Sequence, residues 1–162
     1  CLQFSEELKE SLFDLLEEAF HEKLDSLQPV VDGFYTMESL AMRLLCDIIH
    51  EDLDHLLDRL FSAGSGTEVI MDVVQVLQDS FQELQADLLV HHFKEIVIQA
   101  LKRVVQVYIS KFTSKCAEPF KVPVMVVQIE KDCENLEQFF SRFVLSAVLE
   151  INLSPLTRIR SL

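Results

Sequence analysis

Residues 89–112 read LVHHFKEIVIQALKRVVQVYISKF, and apolar side chains recur there every three or four residues. That period is typical of an amphipathic α-helix, whereas a half-buried strand alternates with a period of two. Further stretches on both sides follow the same pattern. We therefore predict helices at about 5–27, 36–61, 67–86, 89–112, 123–149 and 154–162.

The composition supports an all-α fold. The chain has 162 residues, 49% of them hydrophobic, with only 3 Gly and 4 Pro, too few turn formers for an all-β domain. Long helices joined by short loops favour an antiparallel long-helix bundle or a stacked helical rod. We expect one helical module over residues 1–162. Because the chain starts with Cys1 and a predicted helix runs into its last residue, we expect it to be a piece of a longer protein.

Three prolines set predicted helix boundaries. Pro123 suits the first turn of the fifth helix, where its missing N–H is not needed. Pro29 should end the first helix, because the residue before proline avoids the helical region, and Thr36 should then cap the second. Ser154 and Pro155 have the residue types of an N-cap and a first helical turn, so they mark the predicted start of the sixth helix.

The charge excludes one class of partner. The chain has a net charge of −13, whereas binding to a nucleic acid backbone needs clustered Lys and Arg. Residues 1–60 hold 15 acidic and 4 basic residues. This part suits a basic partner, and the alternative is a set of solvated helix faces.

The cysteines and the hydropathy bear on the compartment. Four cysteines could form two disulfides in an oxidising compartment, but no leader with a small-residue cleavage site precedes the helices. No apolar run reaches 18 residues, so no transmembrane segment is predicted. The four cysteines are Cys1, Cys46, Cys116 and Cys133.

The sequence offers no convincing catalytic, cofactor or metal site. The best candidate is His50 with His55, but a zinc-protease helix needs two His four residues apart. At a spacing of five the imidazoles diverge by about 140°. We predict no enzyme activity and no cofactor, and a metal-dependent hydrolase at this pair is the enzyme alternative.

A modest basic surface is the one positive feature. Lys and Arg residues collect between residues 94 and 121 in an otherwise acidic chain. Such a surface suits an acidic protein or anionic lipid head groups, and the alternative is ordinary balancing charge. The residues expected to contact a partner are Lys102, Arg103, Lys111 and Lys115.

Three stretches resemble one family. They are residues 53–60 (LDHLLDRL), residues 100–108 (ALKRVVQVY), and residues 129–140 (IEKDCENLEQFF) followed by 148–155 (VLEINLSP). Over residues 40–160 the chain resembles the Sec-six family, exocyst complex component three. The family includes the component-three-like paralogues and the M-Sec (tumour-necrosis-factor-α-induced protein two) branch.

The resemblance implies a function that the residues alone do not. It implies a non-enzymatic module in the C-terminal half of a tethering-complex-type helical rod, used in vesicle tethering, exocytosis or plasma-membrane remodelling. The implied partners are other exocyst subunits, membrane-fusion (SNARE) proteins or a Ral-type small GTPase. The implied location is the cytoplasm, peripheral at the plasma membrane.

The connection at residues 114–123 departs from the family pattern. It is short and lacks arginine, which favours a diverged paralogue over a core exocyst subunit. Two other classes stay open, a free-standing helical signalling adaptor unrelated to the exocyst and a secreted cytokine-like bundle with two disulfides.

Overall fold

The computed structural model describes Glu7, Glu10, Ser11 and residues 27–62, 68–115 and 122–160. In these ranges it contains helices and no strand, so the predicted all-α helical bundle is confirmed. Apart from the three helical residues before Leu27, the predicted helix at 5–27 lies outside the described residues. The helices are α1 (Gln28–Leu57), α2 (Glu68–Asp87), α3 (Val90–Lys115), α4 (Val122–Phe140) and α5 (Ser146–Arg160).

The chain divides into two compact units, residues 1–44 and residues 45–162. The division falls within α1. The first unit contains the start of this helix, and the second contains its end together with α2 to α5. That the whole chain acts as one module of a longer protein stays a prediction.

In the first unit, α1 begins at Gln28 and not at Thr36, so the predicted boundary was wrong. Pro29 does not end a helix there but occupies the first turn, where its missing N–H has no helical partner to lose. The Gln28 side-chain amide donates to the Asp32 carboxylate at 2.9 Å. The Thr36 hydroxyl donates back to the Asp32 carbonyl at 2.8 Å, as a threonine inside a helix does, and so it does not act as a cap.

In the second unit, α1 ends at Leu57 and a turn leads to Phe61. Phe61 has a φ of 57°, in the left-handed region that usually belongs to glycine at a helix end. That conformation costs a side-chain-bearing residue about 1–2 kcal/mol. Its ring packs edge-on against Tyr108 at 5.2 Å and near Phe112 at 6.0 Å between centroids. These contacts on α3 offset the strain.

Helices α2 to α5 form the bundle of the second unit. The connection between α2 and α3 has two residues, which makes them antiparallel neighbours. Helix α2 packs on α3 and α4, and α5 packs on the same two helices. The buried side chains follow the predicted stripes. On α3 they are Phe93, Ile96, Val97, Ala100, Leu101, Val104, Val105, Tyr108 and Phe112.

An aromatic cluster closes one end of the bundle and ends α4. Phe81 of α2 is 1% exposed, and its centroid lies 5.4–6.4 Å from four other rings. The cluster consists of Phe81, Phe93, Phe139, Phe140 and Phe143.

The predicted continuation of the fifth helix to Leu149 was wrong, because α4 ends at Phe140. Phe143 leaves the helical path and turns into the aromatic cluster. Two side chains satisfy carbonyls that the helix end leaves open. The Ser141 hydroxyl donates to the Gln138 carbonyl at 3.0 Å, and Arg142 Nε donates to the Phe139 carbonyl at 3.2 Å.

The last helix also begins earlier than predicted. Helix α5 starts at Ser146 and continues through Pro155, so Ser154 and Pro155 are not its start. A proline inside a helix leaves the carbonyl four residues earlier without its N–H donor. Here that carbonyl belongs to Ile151, and the Ser154 hydroxyl donates to it at 2.9 Å. The serine replaces the hydrogen bond that the proline removes.

The hydrogen bond from Ser154 predicts that substitutions of Ser154 and Pro155 have coupled effects on stability. Pro155→Ala restores the backbone donor and should raise the free energy of unfolding by about 1–2 kcal/mol, less than the full helix-interior penalty of proline because Ser154 already compensates. Ser154→Ala should cost about 1 kcal/mol more in the natural chain than in the Pro155→Ala chain. Urea unfolding of the four variants measures both values. Equal costs of Ser154→Ala in the two backgrounds would contradict the compensation.

Candidate functional site

Two of the four predicted contact residues form ion pairs within the second unit. Arg103 on α3 makes a bidentate contact with Asp54 on α1, in which Nε donates to Oδ1 at 2.9 Å and Nη2 donates to Oδ2. Two turns later, Lys111 Nζ lies 2.6 Å from Asp58 Oδ1. Asp54 lies on α1 and Asp58 lies four residues later, in the turn that follows α1, so two cations of α3 face two carboxylates at this end of α1. We call these the α1–α3 ion pairs.

The α1–α3 ion pairs shift the titration of their members. The hydrogen bond from Lys111, followed by its charge, lowers the pKa of Asp58, although this carboxylate is fully exposed to solvent. The hydrogen bond to Asp54 raises the pKa of Arg103. Both shifts favour the charged forms. Because the pair at Arg103 is about one third exposed, it contributes only about 0–1 kcal/mol to stability.

The other two predicted contact residues are exposed on α3. The side chains of Lys102 and Lys115 make no ion pair or hydrogen bond with any other residue in the described part of the chain. Their thirteen-residue separation corresponds to about 20 Å along the helix. The cationic surface expected from the sequence therefore consists of two separated lysines with two neutralised cations between them. That this surface binds a partner stays a prediction.

His50 and His55 lie in an acidic groove of the second unit. The groove is open to solvent, with a volume of about 540 Å³, and carboxylates of α1 dominate its lining. His50 is half-buried and His55 is exposed. Among the residues described, this groove brings no three ligand atoms within 4.8 Å of one another. The lining residues are Asp47, His50, Glu51, Asp54, His55, Asp58 and Arg103.

A buried polar pair in the bundle core was not predicted. Tyr108 is 0% exposed and Asp132 is 1% exposed, and the Tyr108 hydroxyl donates to Asp132 Oδ2 at 2.7 Å. Burial raises the pKa of Asp132 to about 6, although the hydrogen bond from Tyr108 acts in the opposite direction. Burial, and then the charge of Asp132, raise the pKa of Tyr108. The Asp132 Oδ1 atom is buried without a hydrogen bond.

Two of the four cysteines fall within the described residues. Neither Cys46 nor Cys133 forms a disulfide bond in the described part of the chain. Cys133 is buried in the core, and burial raises the pKa of the Cys46 thiol, with Glu95 and Asp47 adding to the effect. Cys46 is not an activated nucleophile, because a reactive cysteine needs a lowered pKa. The cytokine-like alternative needs all four cysteines in disulfides, and these two are in none.

None of the helices in the described ranges is both long and apolar enough to cross a lipid bilayer.

The comparisons with known proteins give one match. The family model described as exocyst complex component Sec6 matches residues 1–161. No curated protein and no solved structure matches the chain significantly. The family match extends the likeness seen in residues 40–160 over almost the whole chain. The chain therefore belongs to the Sec6 family of exocyst complex components.

Proposed function

We propose that the chain is a non-enzymatic protein–protein interaction module of an exocyst-type vesicle-tethering protein. The observation that carries this proposal is the Sec6 family match over residues 1–161. The architecture agrees with it, because long amphipathic helices present extended faces to partners. Lengthwise stacking of such bundles into a rod is part of the proposal.

The parent protein belongs to the component-three-like or M-Sec branch in this proposal. The support is the short connection at residues 114–123, which has no arginine. Other exocyst subunits are the first expected partners, and membrane-fusion (SNARE) proteins and a Ral-type GTPase are the others. The protein would act in the cytoplasm, peripheral at the plasma membrane.

The partner contact is proposed on the exposed face of α3. Of the four residues in the original prediction, Lys102 and Lys115 are available to an acidic partner without losing an existing contact. Arg103 and Lys111 are held by Asp54 and Asp58. Reversing the charge of either would leave Asp54 or Asp58 beside a new carboxylate, so binding and stability would change together.

The test is affinity capture from cytosol with the full-length parent protein. We expect it to recover exocyst subunits, and we expect Lys102→Glu combined with Lys115→Glu to reduce the recovery roughly tenfold, the effect of ~1.4 kcal/mol at an interface. Quantitative mass spectrometry of the captured proteins measures the change. The matched control is Arg43→Glu with Lys131→Glu, which changes the net charge equally outside α3 and should leave recovery unchanged.

Each other outcome has a defined meaning. If the Lys102 and Lys115 reversals leave the recovery of exocyst subunits unchanged, the proposed contact on α3 is rejected and the tethering function is retained. Capture without exocyst subunits, SNARE proteins or a Ral-type GTPase would reject the tethering function and favour the free-standing signalling adaptor.

A further inference from the structure

A second groove of the bundle differs from the acidic one in charge. It lies between α2 and α4, has a volume of about 230 Å³, and contains no carboxylate in its lining. This is unusual for a chain with a net charge of −13. The lining residues of this α2–α4 groove are Met71, Val74, Asn135, Gln138, Phe139 and Arg142.

The single charge in the α2–α4 groove is held in a fixed position. The Arg142 guanidinium carbon lies 4.8 Å from the Phe139 ring centroid and 5.6 Å from that of Phe143. Arg142 Nε donates to the Phe139 carbonyl at 3.2 Å, and Nη2 donates to the Gln78 side-chain oxygen at 3.0 Å. A guanidinium held by stacking and two hydrogen bonds loses little freedom when an anion binds.

The charge of Arg142 is not neutralised by any residue that the structure describes. Arg59 and Arg103 pair with carboxylates, whereas the side-chain partner of Arg142 is a neutral amide. On α4, Lys131 lies one turn before the lining residue Asn135, and the carboxylates of Glu134 and Glu137 lie beside the lining but are not part of it. The groove therefore presents one net positive charge, which suits a carboxylate.

The rest of the groove suits one apolar side chain. Met71 is 51% exposed and adjoins Val74 and Phe139 in the lining. Thioether side chains adapt to the shape of an apolar partner. The volume is below the range of about 300–1,000 Å³ typical of small-molecule pockets. It suits a single Leu or Phe side chain from another protein.

We propose that the α2–α4 groove binds an acidic, apolar segment of a partner protein. A Leu or Phe of that segment would pack on Met71 and Phe139, and a neighbouring Asp or Glu would pair with Arg142. This contact goes beyond the proposed tethering function and does not depend on the lysines of α3.

A random peptide display library selected against the intact protein tests the proposal without a known partner. We expect enriched peptides that combine Asp or Glu with Leu or Phe, and we expect Arg142→Gln to weaken their binding roughly tenfold. Gln78→Glu should weaken peptide binding similarly, because the new carboxylate would form an ion pair with Arg142 and neutralise its charge. Lys94→Gln, an equal loss of charge on α3 outside the groove, should have no effect.

Three results would overturn the proposal. The first is enrichment of basic peptides. The second is that acidic apolar peptides bind the Arg142→Gln and Gln78→Glu variants as tightly as the natural protein. The third is that no peptide is enriched more than in a selection against an unrelated helical bundle. Thermal unfolding of each variant separates loss of binding from loss of fold. Since Arg142 and Gln78 are changed independently, misfolding of one variant leaves the other as a test.

Discussion

Phe81→Ala should lower the free energy of unfolding by about 3–5 kcal/mol, the largest single-residue effect we expect in this chain. Phe81 is 1% exposed and contacts aromatic rings from α3, α4 and the turn that follows α4. Truncation removes the buried ring, leaves a cavity and breaks several edge-to-face contacts. Because these neighbours lie on different elements, the cavity cannot be closed by moving one helix.

Chemical denaturation followed by circular dichroism measures this effect. The matched control is Leu145→Ala, which also truncates an apolar side chain but at a position 78% exposed. Its cost should stay within about 0.5 kcal/mol, as for most surface substitutions. A cost below about 2 kcal/mol for Phe81→Ala would contradict the assignment of the aromatic cluster as the main packing centre at this end of the bundle.

The helices that the sequence predicted well are those in which period and boundary signals agree. On α2 and α3 the apolar stripes coincide with the buried residues, and the predicted boundaries differ by at most three residues. Where Pro29 and Pro155 were used as boundaries, prediction failed, whereas Pro123 was correctly placed in the first turn of α4. Pro29 and Pro155 both lie inside helices, because a first turn tolerates proline and because Ser154 supplies a side-chain hydrogen bond.

The ion pairs near the predicted contact surface could not be predicted from the spacing of charges along the sequence. The sequence places Lys102, Arg103, Lys111 and Lys115 close together, but the partners of Arg103 and Lys111 are 49 and 53 positions earlier in the chain. Only packing of α1 against α3 brings them together. The sequence pattern indicates only weakly that Asp132 is buried, since it lies between Ile129 and Leu136 on the buried face of α4. Its hydrogen bond to Tyr108 on another helix gave no sequence signal.

Tyr108→Phe should have a cost that depends on pH. The substitution keeps the ring and removes the one hydroxyl that donates to Asp132. At about pH 7.5 Asp132 is ionised, and a buried carboxylate that loses one of its hydrogen-bond donors costs about 2–3 kcal/mol. At about pH 5 Asp132 is protonated in the folded state, because its pKa is about 6. The same change should then cost about 1 kcal/mol.

The sign of the pH dependence follows from the direction of the pKa shift. Burial raises the pKa of Asp132 from 3.8 to about 6, so between these values the folded state binds more protons than the unfolded state. The free energy of unfolding must therefore fall as the pH rises through this window, by about 3 kcal/mol from this group. Asp132→Asn should remove that dependence, because an amide does not titrate.

A double-mutant cycle at the two pH values isolates the pair. In the Asp132→Asn background, Tyr108→Phe should cost the same at about pH 5 and about pH 7.5, whereas in the natural chain the two costs should differ by more than about 1 kcal/mol. Equal costs in the natural chain would mean that Asp132 keeps one protonation state across the window. The proposed partner surfaces involve neither residue, so this cycle tests the core of the bundle independently of binding. A carboxylate in that core makes the folded state less stable at neutral pH than an uncharged side chain of the same shape would.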